Sequence, residues 1–102
     1  MDITGLNHYG QLLMAMHRDR EALAAYDSLL ARLPEVMGPE HPSNAIYRCN
    51  RAQVLLNLGR PVEAERELLP ALAQIKAKLA PEHPRLATCT QRLEAARAAQ
   101  RR

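Results

Sequence analysis

Apolar residues return every three or four positions along most of the chain. Leu6, Tyr9, Leu13 and Met16 share one helical face, and Ala22, Tyr26, Leu29, Leu30 and Leu33 share another. His17-Arg18-Asp19 interrupts the period between them, which predicts a helix pair. Asp19 is placed to N-cap the second helix, with Glu21 in its first turn complementing the dipole. Gly38 can take the left-handed conformation that closes that helix, and Pro39 stops its continuation. Further on, Leu55 and Leu58 end a helix, Gly59 breaks it, and Pro61 fits the first turn of the next. Pro42 and Pro84 open two more helices at a position where a missing N–H is harmless. Pro70 lies inside the run ERELLPALAQIKAKL, where an interior proline costs about 3 kcal/mol. The apolar period resumes in phase at Leu72, Ile75 and Leu79, so a kink near residues 66–69 is expected rather than a break.

The chain also repeats itself. Residues 37–42 read MGPEHP and residues 79–84 read LAPEHP, and residues 1–42 overlay 43–84 without a gap. Gln11 falls on Gln53, Leu13 on Leu55, Arg18 on Arg60, Glu21 on Glu63, Ala22 on Ala64 and Leu30 on Leu72. A fixed period of this length marks stacked supersecondary units. Repeat 1 spans 1–42, repeat 2 spans 43–84, and 85–102 supplies the first helix of a third unit, a C-terminal capping helix; together they make a single domain, 1–102.

Composition narrows the class further. Alanine and leucine make up a third of the 102 residues, β-branched residues are few, and there is no Trp or Phe. These proportions favour an all-α protein and exclude a β-sandwich or barrel. No apolar run approaches the roughly 20 residues that span a bilayer, and the opening MDITGLNHYG lacks the basic and apolar regions of a signal peptide. A cytoplasmic protein is expected, with Cys49 and Cys89 as a reduced pair, because cytosolic thiols are kept reduced. Arginine outnumbers lysine twelve to two, a bias that suggests a bacterial genome rich in G and C.

Leu58-Gly59-Arg60-Pro61-Val62-Glu63-Ala64-Glu65, with a small residue near the start of the second helix, resembles the tetratricopeptide repeat. The 42-residue period and the Pro-Glu-His-Pro linkers are similar to the longer kinesin-light-chain type, widespread in bacteria. The resemblance implies antiparallel helix–turn–helix repeats stacked as a short right-handed solenoid of about five helices. Gly10, Ala22, Ala52 and Ala64 match the family's small positions, and Tyr26 and Leu68 its large apolar one. Arg48 and Arg51 depart from it, standing where the family places apolar residues. Arg51 is expected either to snorkel to an end of the stack or to meet something beyond the chain.

From the family, the first helices line a concave groove and the second helices form the back. The groove-facing positions are then Thr4, Asn7, Gln11 and Met14, followed by Ile46, Cys49, Gln53 and Asn57, and by Thr88 and Gln91 in the last helix. Amides offer both donor and acceptor, which suits the backbone of an extended peptide. Asn7 and Asn50 match in part the paired asparagines that hold peptide in the kinesin-light-chain type.

Catalytic and metal chemistry finds no support. His41 and His83 stand one repeat apart without a partner at ligand spacing, and read as linker residues. His8 and His17 are isolated, and the four glycines form no phosphate loop. Glu63, Glu65 and Glu67 read as a solvated face rather than a carboxylate dyad. No cofactor is expected. Charge rises along the stack: three arginines against six acids in residues 1–42 give −3, residues 43–84 give +2 and residues 85–102 give +4. Arg92, Arg97, Arg101 and Arg102 have no interleaved aromatics, which disfavours nucleic acid as a partner.

The sequence thus points to a non-catalytic module that binds a peptide or partner protein. Binding would run through Asn7, Gln11, Met14, Ile46, Cys49, Asn50, Gln53, Asn57 and Gln91. Two alternatives remain: a self-associating fragment of a larger bacterial regulator, and an accessory subunit of a biosynthetic enzyme. Two and a half repeats are few for a stack, and Ile3, Leu6, Leu12 and Leu13 spread broadly around the first helix. A homo-oligomer, with a second copy or a partner completing that end, is therefore also expected.

Overall fold

The computed structural model describes residues 1–38 and 40–101. Pro39 and Arg102 lie outside the described residues, and with them the expectation that Pro39 stops the second helix. Five helices follow in order: α1 (Ile3–Ala15), α2 (Asp19–Met37), α3 (Pro42–Asn57), α4 (Pro61–Lys78) and α5 (Pro84–Gln100). There is no strand among the described residues. The helices stack in sequence into a flat body of 40 × 32 × 19 Å, an all-α helical-repeat fold.

Equivalent local devices recur at the 42-residue period. The turn after α1 closes with the Arg18 N–H on the Leu13 carbonyl and the His17 N–H on Met14; after α3, Arg60 bonds Leu55 and Gly59 bonds Leu56. Both are Schellman closures needing a left-handed residue. Gly59 supplies it at φ 73°, whereas His17 is held there at φ 60°. Arg18 then grips Glu21 through Nε and Nη2, both at 2.8 Å, and Arg60 grips Glu63 in the same way. Asp19 does not cap α2: it is the first helical residue, and Arg18 stands at the cap without a side-chain bond.

His41 and His83 are more than linkers. Each is the N-cap of the following helix, its Nδ1 accepting the Ser43 or Arg85 N–H at 3.1 Å, with Pro42 or Pro84 in the first turn. α4 passes through Pro70 without a break, as the phase of its apolar stripe requires, and α2 carries a second interior proline, Pro34, near its end.

Two core clusters lie side by side. One joins Ile3, Leu6, Leu13, Ala22, Tyr26, Leu29 and Leu33 with Val54 from α3; the other joins Ala52, Leu55, Ala64, Leu68, Leu72 and Ile75 with Cys89, Leu93 and Ala96 from α5. Each helix pair therefore buries its face partly against the first helix of the next unit, as stacked repeats must. The sequence stripe for α1 was half right. Leu6 and Leu13 are buried, but Tyr9 and Met16 are 42% and 50% exposed, and Ile3 and Gly10 complete the inner face instead.

Arg51 neither snorkels to an end nor faces outward. Its Nε reaches Asp27 on α2 at 2.8 Å and its Nη1 reaches Glu67 on α4 at 2.5 Å, tying one unit to the next. These bonds outweigh the burial that would lower its pKa and raise it above the ordinary value. Glu67, read as solvated, has a side chain only 7% exposed. The cysteines are not a reduced pair: Cys49 of α3 and Cys89 of α5 form a disulfide, and both are buried.

Candidate functional site

The first helices α1, α3 and α5 bring one polar side chain each into a connected line. Asn7 accepts the Tyr26 hydroxyl at 2.8 Å and an Asn50 N–H at 3.3 Å through the same Oδ1. Asn50 in turn accepts Arg92 Nη1 at 3.0 Å, and that nitrogen also donates to the Cys49 carbonyl at 3.0 Å. Asn50 and Arg92 sit one repeat step of 42 apart, whereas Asn7 is offset by one residue, in the register of Cys49 and Gln91. Asn50 is 4% exposed, which makes these partners obligatory for a buried amide. Burial pushes the Tyr26 hydroxyl up to about 12 and pulls the Arg92 pKa below its ordinary value; the guanidinium stays charged regardless.

The ladder does not use all its donors. Asn7 Nδ2, and Arg92 Nε and Nη2, make no hydrogen bond with another described residue. No buried side-chain N or O atom among the described residues lacks a partner, so these groups reach solvent. Around them, Gln11 and Gln91 are exposed, and Met14 and Ile46 are half-buried. Gln53 donates to Asn57 at 2.9 Å and Asn57 donates to Asp19 at 3.1 Å, a second chain of amides that ends on α2.

Of the residues expected to meet a partner, the structure therefore presents Gln11 and Gln91 freely and engages Asn7, Asn50, Gln53 and Asn57 within the protein. Cys49 is corrected: at 1% exposure and bonded to Cys89, its side chain cannot touch a partner. Arg92 was missed as a member of the set: the 42-residue period places it on Asn50, but only the stacking of α5 on α3 shows that the two side chains bond. Two of the arginines that made the C-terminal end look basic have partners within the protein, Arg92 on Asn50 and Arg97, at the surface, on Glu65 at 2.9 Å.

A cleft of about 540 Å³ lies between α3 and α4 and is lined by Asn44, Arg48, Arg51, Arg66 and Gln74 among others. Positions 44, 48 and 51 project from the face of α3 opposite to 46, 50, 53 and 57 by helical phase. No group of three or more His, Cys, Asp or Glu residues that could hold a metal is found among the described residues, and no helix of the described residues is long and apolar enough to cross a membrane.

Stacked helix pairs with a polar line along successive first helices define a helical-repeat scaffold. The tetratricopeptide-repeat family matches residues 2–68, and the chain belongs to that family. Proteins of this family generally mediate protein–protein interactions. The chain matches no curated protein.

Proposed function

We propose that this chain is a non-catalytic interaction module that holds an extended segment of a partner protein along the faces of α1, α3 and α5. The observation that carries the reading is the Asn7–Asn50–Arg92 ladder. It fixes three first helices in register and leaves N–H donors of Asn7 and Arg92 facing solvent. Such donors suit main-chain carbonyls whatever the partner's sequence, and the fixed charge of Arg92 suits a carboxylate at the C-terminal side. Gln11, Gln53 and Gln91 flank the line, with Met14 and Ile46 supplying apolar contact.

Asn7 and the buried Asn50 hold the fold together, so the clean variants are at the exposed glutamines. A partner captured from the native host with the wild-type chain should be lost, or bind at least tenfold more weakly, with Gln11→Ala/Gln91→Ala, while the thermal midpoint is unchanged. Unaltered affinity in that variant would remove this face as the binding site. A cytoplasmic setting sits poorly with a disulfide, which persists under oxidising conditions. The same reading therefore favours a compartment or condition that keeps Cys49 and Cys89 joined.

A further inference from the structure

Tyr9, Leu12 and Met16 form a continuous stripe on α1, and they are 42%, 56% and 50% exposed. One repeat later, the same positions are Arg51, Val54 and Leu58 on α3. There they are covered: Val54 is fully buried in the core of the first helix pair, Leu58 packs against that core, and Arg51 bonds Asp27 of α2. One repeat later again, they are Leu93, Ala96 and Gln100 on α5. Leu93 and Ala96 are buried in the second core, and Gln100 bonds Glu65 of α4. This register is therefore an interface twice within the chain, and on α1 it stands bare and at its most apolar.

A cleft beside the stripe supports the same conclusion. Met1, Leu6, Tyr9, Glu21, Ala24 and Ser28 help line a hollow of about 330 Å³ between α1 and α2. It is the counterpart of the large cleft between α3 and α4, but Arg48, Arg51, Arg66 and Glu67 there are Leu6, Tyr9, Ala24 and Ala25 here, with Glu21 retained in the place of Glu63. The opposite end of the stack differs. The positions that α4 covers on α3, Ala45 and Ala52, correspond on α5 to Ala87 and Glu94, which are exposed, as are Ala95 and Ala98. Small and charged residues there tolerate water and offer no large apolar surface to receive the α1 stripe.

We propose that the outer face of α1 docks the same face of a second copy, forming a two-fold dimer. One apolar end and one polar end per molecule favour an isologous contact, in which a patch meets itself and growth stops at two. A head-to-tail contact would gain from the charge difference between −3 in residues 1–42 and +4 in residues 85–102. It would nevertheless leave Leu12 and Met16 against alanine and glutamate. The proposal is independent of the partner-binding reading, which concerns a different register of the first helices.

Sedimentation velocity across a wide concentration range tests it, using wild type, Leu12→Arg, Met16→Lys and Ala95→Arg. The expected result is a wild-type dimer that dissociates on dilution, monomeric Leu12→Arg and Met16→Lys with unchanged helix content, and an undisturbed Ala95→Arg dimer. Leu12→Cys should also oxidise to a dimer whose linked peptides are residue 12 to residue 12. A wild type that stays monomeric throughout overturns the proposal. So do species larger than a dimer, or dissociation caused by Ala95→Arg, either of which would establish head-to-tail stacking instead.

Discussion

The ring of Tyr26 occupies the space that a side chain at position 10 would need: a Cβ on Gly10 would lie 2.7 Å from Tyr26 Cε2 and 3.0 Å from Cζ. In the next unit the same two positions are Ala52 and Leu68, both fully buried. The pairs are alternative solutions to one close helix crossing, Gly with Tyr or Ala with Leu. Tyrosine is the larger solution, and its hydroxyl ties α2 to Asn7 on α1.

Gly10→Ala alone should therefore overpack the crossing and destabilise the protein by about 1–3 kcal/mol. Adding Tyr26→Leu, which recreates the second unit's pair, should recover most of that loss. Urea unfolding of the two single variants and the double variant measures the coupling. Additive losses would show that the two positions do not share one space.

His17 sits at φ 60° where Gly59 serves in the second unit. A left-handed residue with a Cβ carries roughly 1–2 kcal/mol of steric cost, partly offset by the lower unfolded-state freedom of a non-glycine residue. His17→Gly should stabilise by about 1 kcal/mol on the balance of those terms. His17→Val, branched at Cβ, should destabilise. Thermal unfolding of both variants decides.

The Cys49–Cys89 bond closes a loop across 40 residues and fastens α5 to α3. By the chain-entropy account, such a link contributes roughly 3–4 kcal/mol through the unfolded state. Reduction, or Cys49→Ser/Cys89→Ser, should lower the unfolding midpoint accordingly and expose α5 first to hydrogen exchange. Mass spectrometry of thiol-blocked protein taken directly from its cells would show whether the bond is present where the protein works.

Stability should fall at both ends of the pH scale for separate reasons. Hydrogen bonds from Arg97 and then Gln100 hold the Glu65 carboxyl below its ordinary 4.5. Its contribution is therefore complete above that value and lost as pH drops through the depressed folded one. Glu65→Gln should flatten the acid limb. Tyr26, pushed up to about 12 by burial, keeps its contribution below pH 10 and loses it as pH rises toward 12. Tyr26 should ionise only as the fold is lost. Ultraviolet absorbance of tyrosinate, followed alongside helix content, reads both events.

Much of this architecture is legible in the sequence because its determinants are local. The prolines at 42, 61 and 84 lie in the first turns of α3, α4 and α5, and Gly59 has the left-handed turn that its position implies. The repeat itself carries the order of stacking. What sequence reading missed depends on contacts between helices. Tyr9 and Met16 fit an inner stripe by spacing, yet the inner face turns toward Gly10 because Tyr26 needs the room. The disulfide joins residues 40 apart that only the packing of α5 on α3 brings together. Arg51 reads as a misplaced charge until Asp27 and Glu67 stand beside it from two different helices. At the candidate site, the amides were visible as types and positions, but their pairing with one another was not. Nor was the bond of Arg92 to Asn50, which needs α5 packed on α3.

The central claim is that a partner lies along the first helices and meets the free groups beside the Asn7–Asn50–Arg92 ladder. Its most direct test is nuclear magnetic resonance of the isotope-labelled chain during titration with the partner captured from the native host. The side-chain N–H signals of Gln11, Gln53, Gln91 and Arg92 should shift together and saturate with one affinity. If instead the signals that move are those of Arg48, Arg66 and Gln74 in the cleft between α3 and α4, while the glutamines of the first helices stay still, the claim is contradicted.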